Sequence, residues 1–272
     1  NEDLFLEWLQ VLKNRNNLKV FTSSDFLAKT LAIEILSQLK QKKKFVLGCP
    51  GGRSLVKTYY YLGRISYQKK ISLKNLTIIM MDEYVIKEKK KYRVVNPSSH
   101  FSCTRFSKQV IQRLLNFKKN KKDKLQSHQI LFPNVQEPLA YDSQIKKLGG
   151  IDIFLLASGS SDGHVAFNNL YAKRNSKTHI TKLSKHTRSD NMRTFTKFKK
   201  MSEVPQYGLT VGLSTISKLS KSAILVLTGK EKRYALQKIV EASKFDKAWP
   251  ATIIFDCKKY KIYVDQKAIL NK

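Results

Sequence analysis

Residues 158–169 read SGSSDGHVAFNN, and within them Asp162 and His164 stand two apart around Gly163. A carboxylate beside an imidazole can orient the ring and favour its charged form, which makes the pair a candidate for moving protons. Gly163 would let a ligand approach the backbone closely. A plain turn with a satisfied histidine uses the same letters, so the pair takes its meaning from its neighbours. GCPGGRSL (48–55) supplies Gly51 and Gly52 for a tight turn that presents N–H groups to an anion, with the charge of Arg53 and the hydroxyl of Ser54 alongside. It lacks the spacing and the Gly-Lys-Ser/Thr ending of a Walker loop. MDEY (81–84) sets Asp82 beside Glu83, two candidates for proton abstraction in a chain with only 20 acids. LTGKEK (227–232) puts Lys232 in the first turn of an expected helix, the unfavourable end for a cation, which hints at an anionic ligand. THITKLSKHTRSDNMR (178–193) holds Arg188 and Arg193 five apart.

Several of these clusters directly follow a strand-like apolar run: FVLG (45–48), LTIIMM (76–81), IDIFLLA (151–157) and SAILVLT (222–228). Further strands are expected at 17–22, 128–133, 208–213, 251–256 and 261–265. Helical spacing marks 6–12 and a helix capped by Ser24 or Asp25 that runs to about Gln41 with Leu27, Leu31, Ile35 and Leu39 on one face. It also marks 54–65, a helix over 100–115 opened by Ser98 or Ser99, 137–148 stopped by Gly149 and Gly150, and 230–242. Residues 86–97 read as a polar loop. Alternating strands and helices predict an α/β fold with a mostly parallel sheet in a single domain. In such sheets ligands bind beyond the carboxyl ends of the strands, where these clusters lie.

Composition narrows the classes. The 272 residues are 42% hydrophobic, enough for a core, so wholesale disorder is excluded. No window of 18 apolar residues predicts a membrane span. The opening NEDLFLEWLQVL is acidic and amphipathic, unlike a signal peptide. Cys49, Cys103 and Cys257 are scattered and odd in number, fitting neither a disulfide framework nor a zinc site. A reducing, cytoplasmic location is expected, with an organelle left open because the sequence begins at Asn1 rather than Met. The net charge is +32, from 52 basic and 20 acidic residues. That suits RNA or another polyanion as partner. Only ten of the 52 are arginine, the residue preferred for forked phosphate contacts, and lysine runs such as 40–44, 87–93 and 118–124 equally suit solvated loops.

In this order, FVLGCPGG, MDEYV, GGIDIFLLASGSSDGHVAFN, THITKLSKHTR, VPQYGLTVGLSTI and TGKEKRYALQKIVEA resemble the glucosamine-6-phosphate deaminase and 6-phosphogluconolactonase family. The similarity spans about residues 20–268 of a single domain covering 1–272. It implies a Rossmann-like parallel sheet with helices on both faces, acting on a sugar phosphate without cofactor or metal. Homo-oligomers occur among relatives, as do monomers. By this resemblance Asp82 takes the C2 proton of the opened sugar, His164 supported by Asp162 helps open the ring, and Gly51, Gly52, Ser54, Arg193 and Lys232 hold the phosphate. An aldose–ketose shift needs those three things: a carboxylate over C2, an acid–base group near the ring oxygen, and an anion anchor. MDEY and DGHVAFN are similar to the deaminase branch. That branch continues AFNEP, where this chain has Asn169, which can orient the ring by a hydrogen bond but carries no charge. GGRS and WPATII (249–254) are similar to lactonase forms instead. His179 and Thr181 occupy positions that are basic in some allosteric deaminases, so control by an acetylated sugar phosphate is not expected.

Overall fold

The protein is described here from a computed structural model covering Gln10 and residues 16–269, so the helix expected at 6–12 lies outside the described residues. Strands β1 (Leu18–Phe21), β2 (Phe45–Cys49), β3 (Leu76–Met80), β6 (Ile130–Leu131), β7 (Ile153–Leu156), β10 (Ala223–Leu227) and β11 (Tyr260–Asp265) form one sheet in the order β1-β11-β10-β7-β2-β3-β6. Every pairing in it is parallel. The central strands are buried along their whole length, which is why they read as continuous apolar runs.

Successive strand residues point to opposite faces. Leu225 and Leu227 of β10 join one core with Ile145, Leu236 and Ile239 from the helices Pro138–Lys147 and Arg233–Glu241. Ile224 and Val226 join the other core with Leu31 and Leu62 from helices α1 (Ser24–Gln41) and α2 (Val56–Gln68). The expected mostly parallel sheet with helices on both faces is therefore present. Among the described residues no helix is long and apolar enough to cross a membrane, and no group of three His, Cys, Asp or Glu could hold a metal ion.

A second sheet departs from expectation. Residues 86–97 are not a loop: β4 (Asp82–Glu88) and β5 (Lys91–Val94) pair antiparallel, and the four-stranded order β5-β4-β9-β8 adds β9 (Tyr207–Thr210) and β8 (His179–Lys182). The lysines that suggested a loop sit at the exposed end of this hairpin, where Lys89 takes a positive φ of 54°. Strand β9 ends at Thr210, and Gly212 opens a helix, Leu213–Leu219, where the sequence suggested one strand over 208–213.

Other boundaries move for local reasons. Ser23, extended at φ −152°, caps α1 by accepting the Phe26 N–H at 3.1 Å, while Asp25 pairs with Lys57. The helix expected over 100–115 starts at Cys103, capped by Ser102, because Ser98 is tied into a turn by Asn96. It runs through Cys103–Phe106, a π-helical segment Ser107–Gln112, and Arg113–Leu115; these together are α3. Residues Pro250–Asp256, expected as a strand, form a 3₁₀ helix with Pro250 in its first turn and Thr252 Oγ1 bonded to Trp249 O. A short run buried throughout has no periodicity to separate the two states.

Candidate active site

Four neighbouring strands, β10, β7, β2 and β3, deliver the polar clusters at their carboxyl ends into one cleft of about 860 Å³. Gly51, Gly52 and Ser54 follow β2 and line it, with Gly52 at φ 84° in open space, so the requirement there is conformational. Asp82 follows β3, His164 follows β7 and Lys232 follows β10; all three line the cleft. Arg193 reaches it from α4 (Lys185–Thr194), exposed and paired with Asp190. Arg188 does not: its guanidinium donates to Met201 O and Val204 O and fastens the following segment.

The two adjacent acids separate by their partners. Glu83 accepts from the Tyr84, Cys103 and Thr104 N–H groups and from the Ser102 and Thr104 hydroxyls, which consumes both oxygens at the start of α3. Asp82 is 7% exposed, and among the described residues its only side-chain partner is Cys103 Sγ, 3.5 Å from Oδ1. Burial pushes the Asp82 carboxyl up to about 7; the Cys103 contact and His164 pull it down, and Glu83 pushes it up.

Asp162 and His164 form a tight pair, with Oδ1 to Nδ1 at 2.6 Å. Asp162 Oδ2 accepts Ser184 Oγ at 3.1 Å and Thr187 Oγ1 at 3.4 Å. Burial alone would raise Asp162, but the bonds and charge of His164 and the Ser184 hydroxyl outweigh it and hold the carboxyl well below the usual carboxylate range. His164 Nε2 has no protein partner among the described residues, so the ring can exchange a proton with a ligand in the cleft. Gly159 lies beneath the pair, and any Cβ there would collide with the ring and the carboxylate.

Asn169 takes a different place from the one the sequence suggested. Its Nδ2 donates to Lys182 O at 3.2 Å and its Oδ1 accepts the Tyr171 N–H at 3.0 Å, so the amide ties a loop to β8 and does not bond the His164 ring. Cys103, Ser184 and Thr187 are the contributors that the sequence reading overlooked. Ser184 carried a signal, since it stands three before Thr187 and caps α4 by accepting its N–H. Cys103 carried none, lying 21 residues from Asp82 in an unremarkable helical run.

The anion side is built around Lys232. Gly229, at φ 90°, donates its N–H to Asp265 Oδ1, which shapes the turn after β10 that carries this lysine. Lys232 Nζ donates to Ser158 O at 2.6 Å, and no carboxylate lies within ion-pair distance among the described residues. Burial pushes its ammonium below the usual lysine range, against the charges of Glu231, Asp190 and Asp162. A half-buried cation without an anionic partner, facing a glycine turn, is arranged to receive a phosphate or carboxylate. Tyr84, Phe101, Phe167 and Phe195 also line the cleft, with the other three rings packed around Tyr84.

Comparison with known proteins places the chain in a family. A family model described as glucosamine-6-phosphate isomerases/6-phosphogluconolactonase matches residues 22–264. The glucosamine-6-phosphate isomerase of Candida albicans is 32% identical over 251 residues, covering 92% of this chain and 96% of that one. A solved structure described as a monomeric glucosamine-6-phosphate deaminase has a TM-score of 0.78 at 25% identity, covering 93% of this chain and 98% of that chain. The 6-phosphogluconolactonase of Thermotoga maritima shares the fold, with a TM-score of 0.66 at 18% identity over 92% of this chain and 99% of its own.

Proposed function

The chain belongs to the glucosamine-6-phosphate isomerase/6-phosphogluconolactonase family, and from that premise we propose that it converts glucosamine 6-phosphate and water to fructose 6-phosphate and ammonia. The observation that carries this reading is Asp82: a buried carboxylate with one weak partner, lining the same cleft as His164 and the cationic anchor. The substrate phosphate sits on the Gly51 and Gly52 turn, Ser54, Arg193 and Lys232. His164 Nε2 moves the proton that opens the sugar ring, with Asp162 fixing the ring through Nδ1. Asp82 then takes the C2 proton of the open aldehyde, leaving an enolamine whose O1 takes up a proton; return of the proton to C1 gives an imine at C2, and water adds there and expels ammonia to leave the ketose. Incubating the protein with glucosamine 6-phosphate, and assaying ammonia and fructose 6-phosphate, tests this directly. Release of neither product from a folded sample would overturn it.

The hydrolysis of 6-phosphogluconolactone is the second reading. Supporting it, the lactonase-like segment after Trp249 packs onto the Asp162–His164 loop: Ala251 N–H bonds Gly163 O at 2.8 Å, and the Trp249 ring occupies the space a Gly163 Cβ would take. The Asp162–His164 pair suffices to activate water on a lactone, whereas Asp82 has no task there. Asp82→Asn therefore separates the two: it abolishes deamination and spares lactone hydrolysis.

Two wider proposals concern partners. One is a homo-oligomer, whose assembly state light scattering reads. For a polyanion such as RNA, the support is a basic aromatic patch where Arg64 stacks 3.3 Å from the Phe117 centroid and 4.8 Å from Tyr60, with Lys118 5.6 Å from Phe117. Steeply salt-dependent retention of single-stranded RNA supports it, and retention that is absent at low salt removes it.

A further inference from the structure

Residues Asp82 and Cys103 come from different elements, yet their side chains meet at 3.5 Å, an ordinary S–H···O separation. We propose that Cys103 is a positioning residue for the proton transfer: its thiol donates to Asp82 Oδ1, holds that carboxylate toward the cleft and favours its ionised form. The proposal rests on Asp82 acting as the base.

The surroundings fix the thiol closely. Cys103 opens α3, and its own N–H bonds Glu83 Oε1 at 2.9 Å. Ser102 Oγ and Thr104 N–H hold the other Glu83 oxygen at 3.0 and 2.7 Å. Glu83 thus clamps the helix start to β4 one residue from Asp82, so Sγ and Oδ1 are set by the same clamp. On its other side the thiol faces the anion turn: a Cβ on Gly51 would stand 3.6 Å from Sγ, ordinary contact. Cys103 lines the cleft between the proposed phosphate cradle and the base, at 7% exposure.

The chemistry of the thiol suits a donor and not a nucleophile. Burial first, then the charges of Glu83 and Asp82, push it well above the usual thiol range, so it keeps its proton. A protonated thiol is a weak donor, and a weak donor leaves the carboxylate basic. A hydroxyl donor there would hold the ionised form more firmly. The other titratable groups within electrostatic reach of Asp82 are Glu83 and Tyr84 on β4, His164 from the β7 loop, Tyr59 from α2, and Tyr141 from Pro138–Lys147. None of these donates a hydrogen bond to the Asp82 carboxylate among the described residues.

The test compares the pH dependence of kcat/KM for glucosamine 6-phosphate in the wild type, Cys103→Ala and Cys103→Ser, with Asp82→Asn as control. Loss of the donor in Cys103→Ala moves the acid limb to higher pH by about one unit, the order expected for one weak hydrogen bond to a charged acceptor. Cys103→Ser restores the limb to the wild-type position or below it. Both variants change kcat more than KM, since the thiol touches the base and not the phosphate. Titration of ¹³C-labelled aspartate in the folded variants reads the same shift without turnover. An acid limb and a titration that stay put in folded Cys103→Ala overturn the proposal, as does a change in KM alone, which marks the thiol as mere lining. If Asp82→Asn keeps deaminating, the assignment of Asp82 fails instead, and the aspartate titration still reports whether the thiol bonds that carboxylate.

Discussion

Asp82 and Glu83 are neighbours in the chain, and at the scale of single residues their different fates explain most of the site. Glu83 is enclosed by donors from three consecutive residues, Ser102, Cys103 and Thr104, while Asp82 keeps one weak contact. Sequence showed two candidate acids and could not rank them, because the ranking comes from a helix start 20 residues away. The types and positions of Gly51, Gly52, Ser54, His164, Arg193 and Lys232 were legible, and all six line one cleft. Asn169 was not, since its amide donates to the backbone of a strand whose existence the sequence did not signal and accepts from a loop N–H two residues on. With the Asp82 carboxyl at about 7, kcat/KM for deamination rises with pH through that value, and Asp82→Asn lowers kcat by about 10²- to 10⁴-fold. The same group predicts a stability effect. It binds its proton more tightly folded than unfolded, so its contribution is full below the unfolded value of 3.8 and is lost as pH rises toward 7. Asp82→Asn therefore gains thermal stability relative to the wild type across that window, read by melting curves at successive pH values. Lys232→Ala raises KM for the phosphorylated substrate by about tenfold or more through loss of one charged contact, with kcat changed less.

At the scale of elements, the strands of the parallel sheet were legible because burial on both faces gives unbroken apolar runs, as in FVLG and AILVL. The antiparallel sheet was hidden by its edges. Strands β5 and β8 are short, the first mostly exposed and the second mostly half-buried, so neither carried an alternating signal. Helix α4 was also missed, although its cap does two jobs. Ser184 accepts the Thr187 N–H at 3.0 Å and donates to Asp162 at 3.1 Å, so the helix that carries Arg193 is joined to the proton-moving pair at its cap. Ser184→Ala costs about 1 kcal/mol of stability from the cap and also lowers turnover. Ser23→Ala removes a cap of the same kind from α1, where the helix start makes no contact with the cleft. It costs a similar amount with turnover unchanged. Melting curves and steady-state rates on the two variants distinguish the shared cap from the isolated one.

At the scale of the whole molecule, the sequence carries a net charge of +32 on 272 residues. Like charges held on one compact body repel, and salt screens that repulsion within about 8–10 Å at 0.1–0.15 M. Raising sodium chloride from about 50 to about 300 mM should therefore raise the melting temperature, and a fall would mean that its few ion pairs matter more than the excess charge. The arrangement of strands has a further consequence, for synthesis. Among the described residues strand β1 pairs only with β11, Leu18 opposite Ile262 through Phe21 opposite Asp265, and β11 lies between β1 and β10. A ribosome makes the first of these strands long before the last. At about 5–20 residues per second, the interval from β1 to β11 is roughly 12–50 s, during which the nascent β1 has no native neighbour in the sheet. Whatever shelters that strand in the meantime, the sheet can close only once β11 has been made.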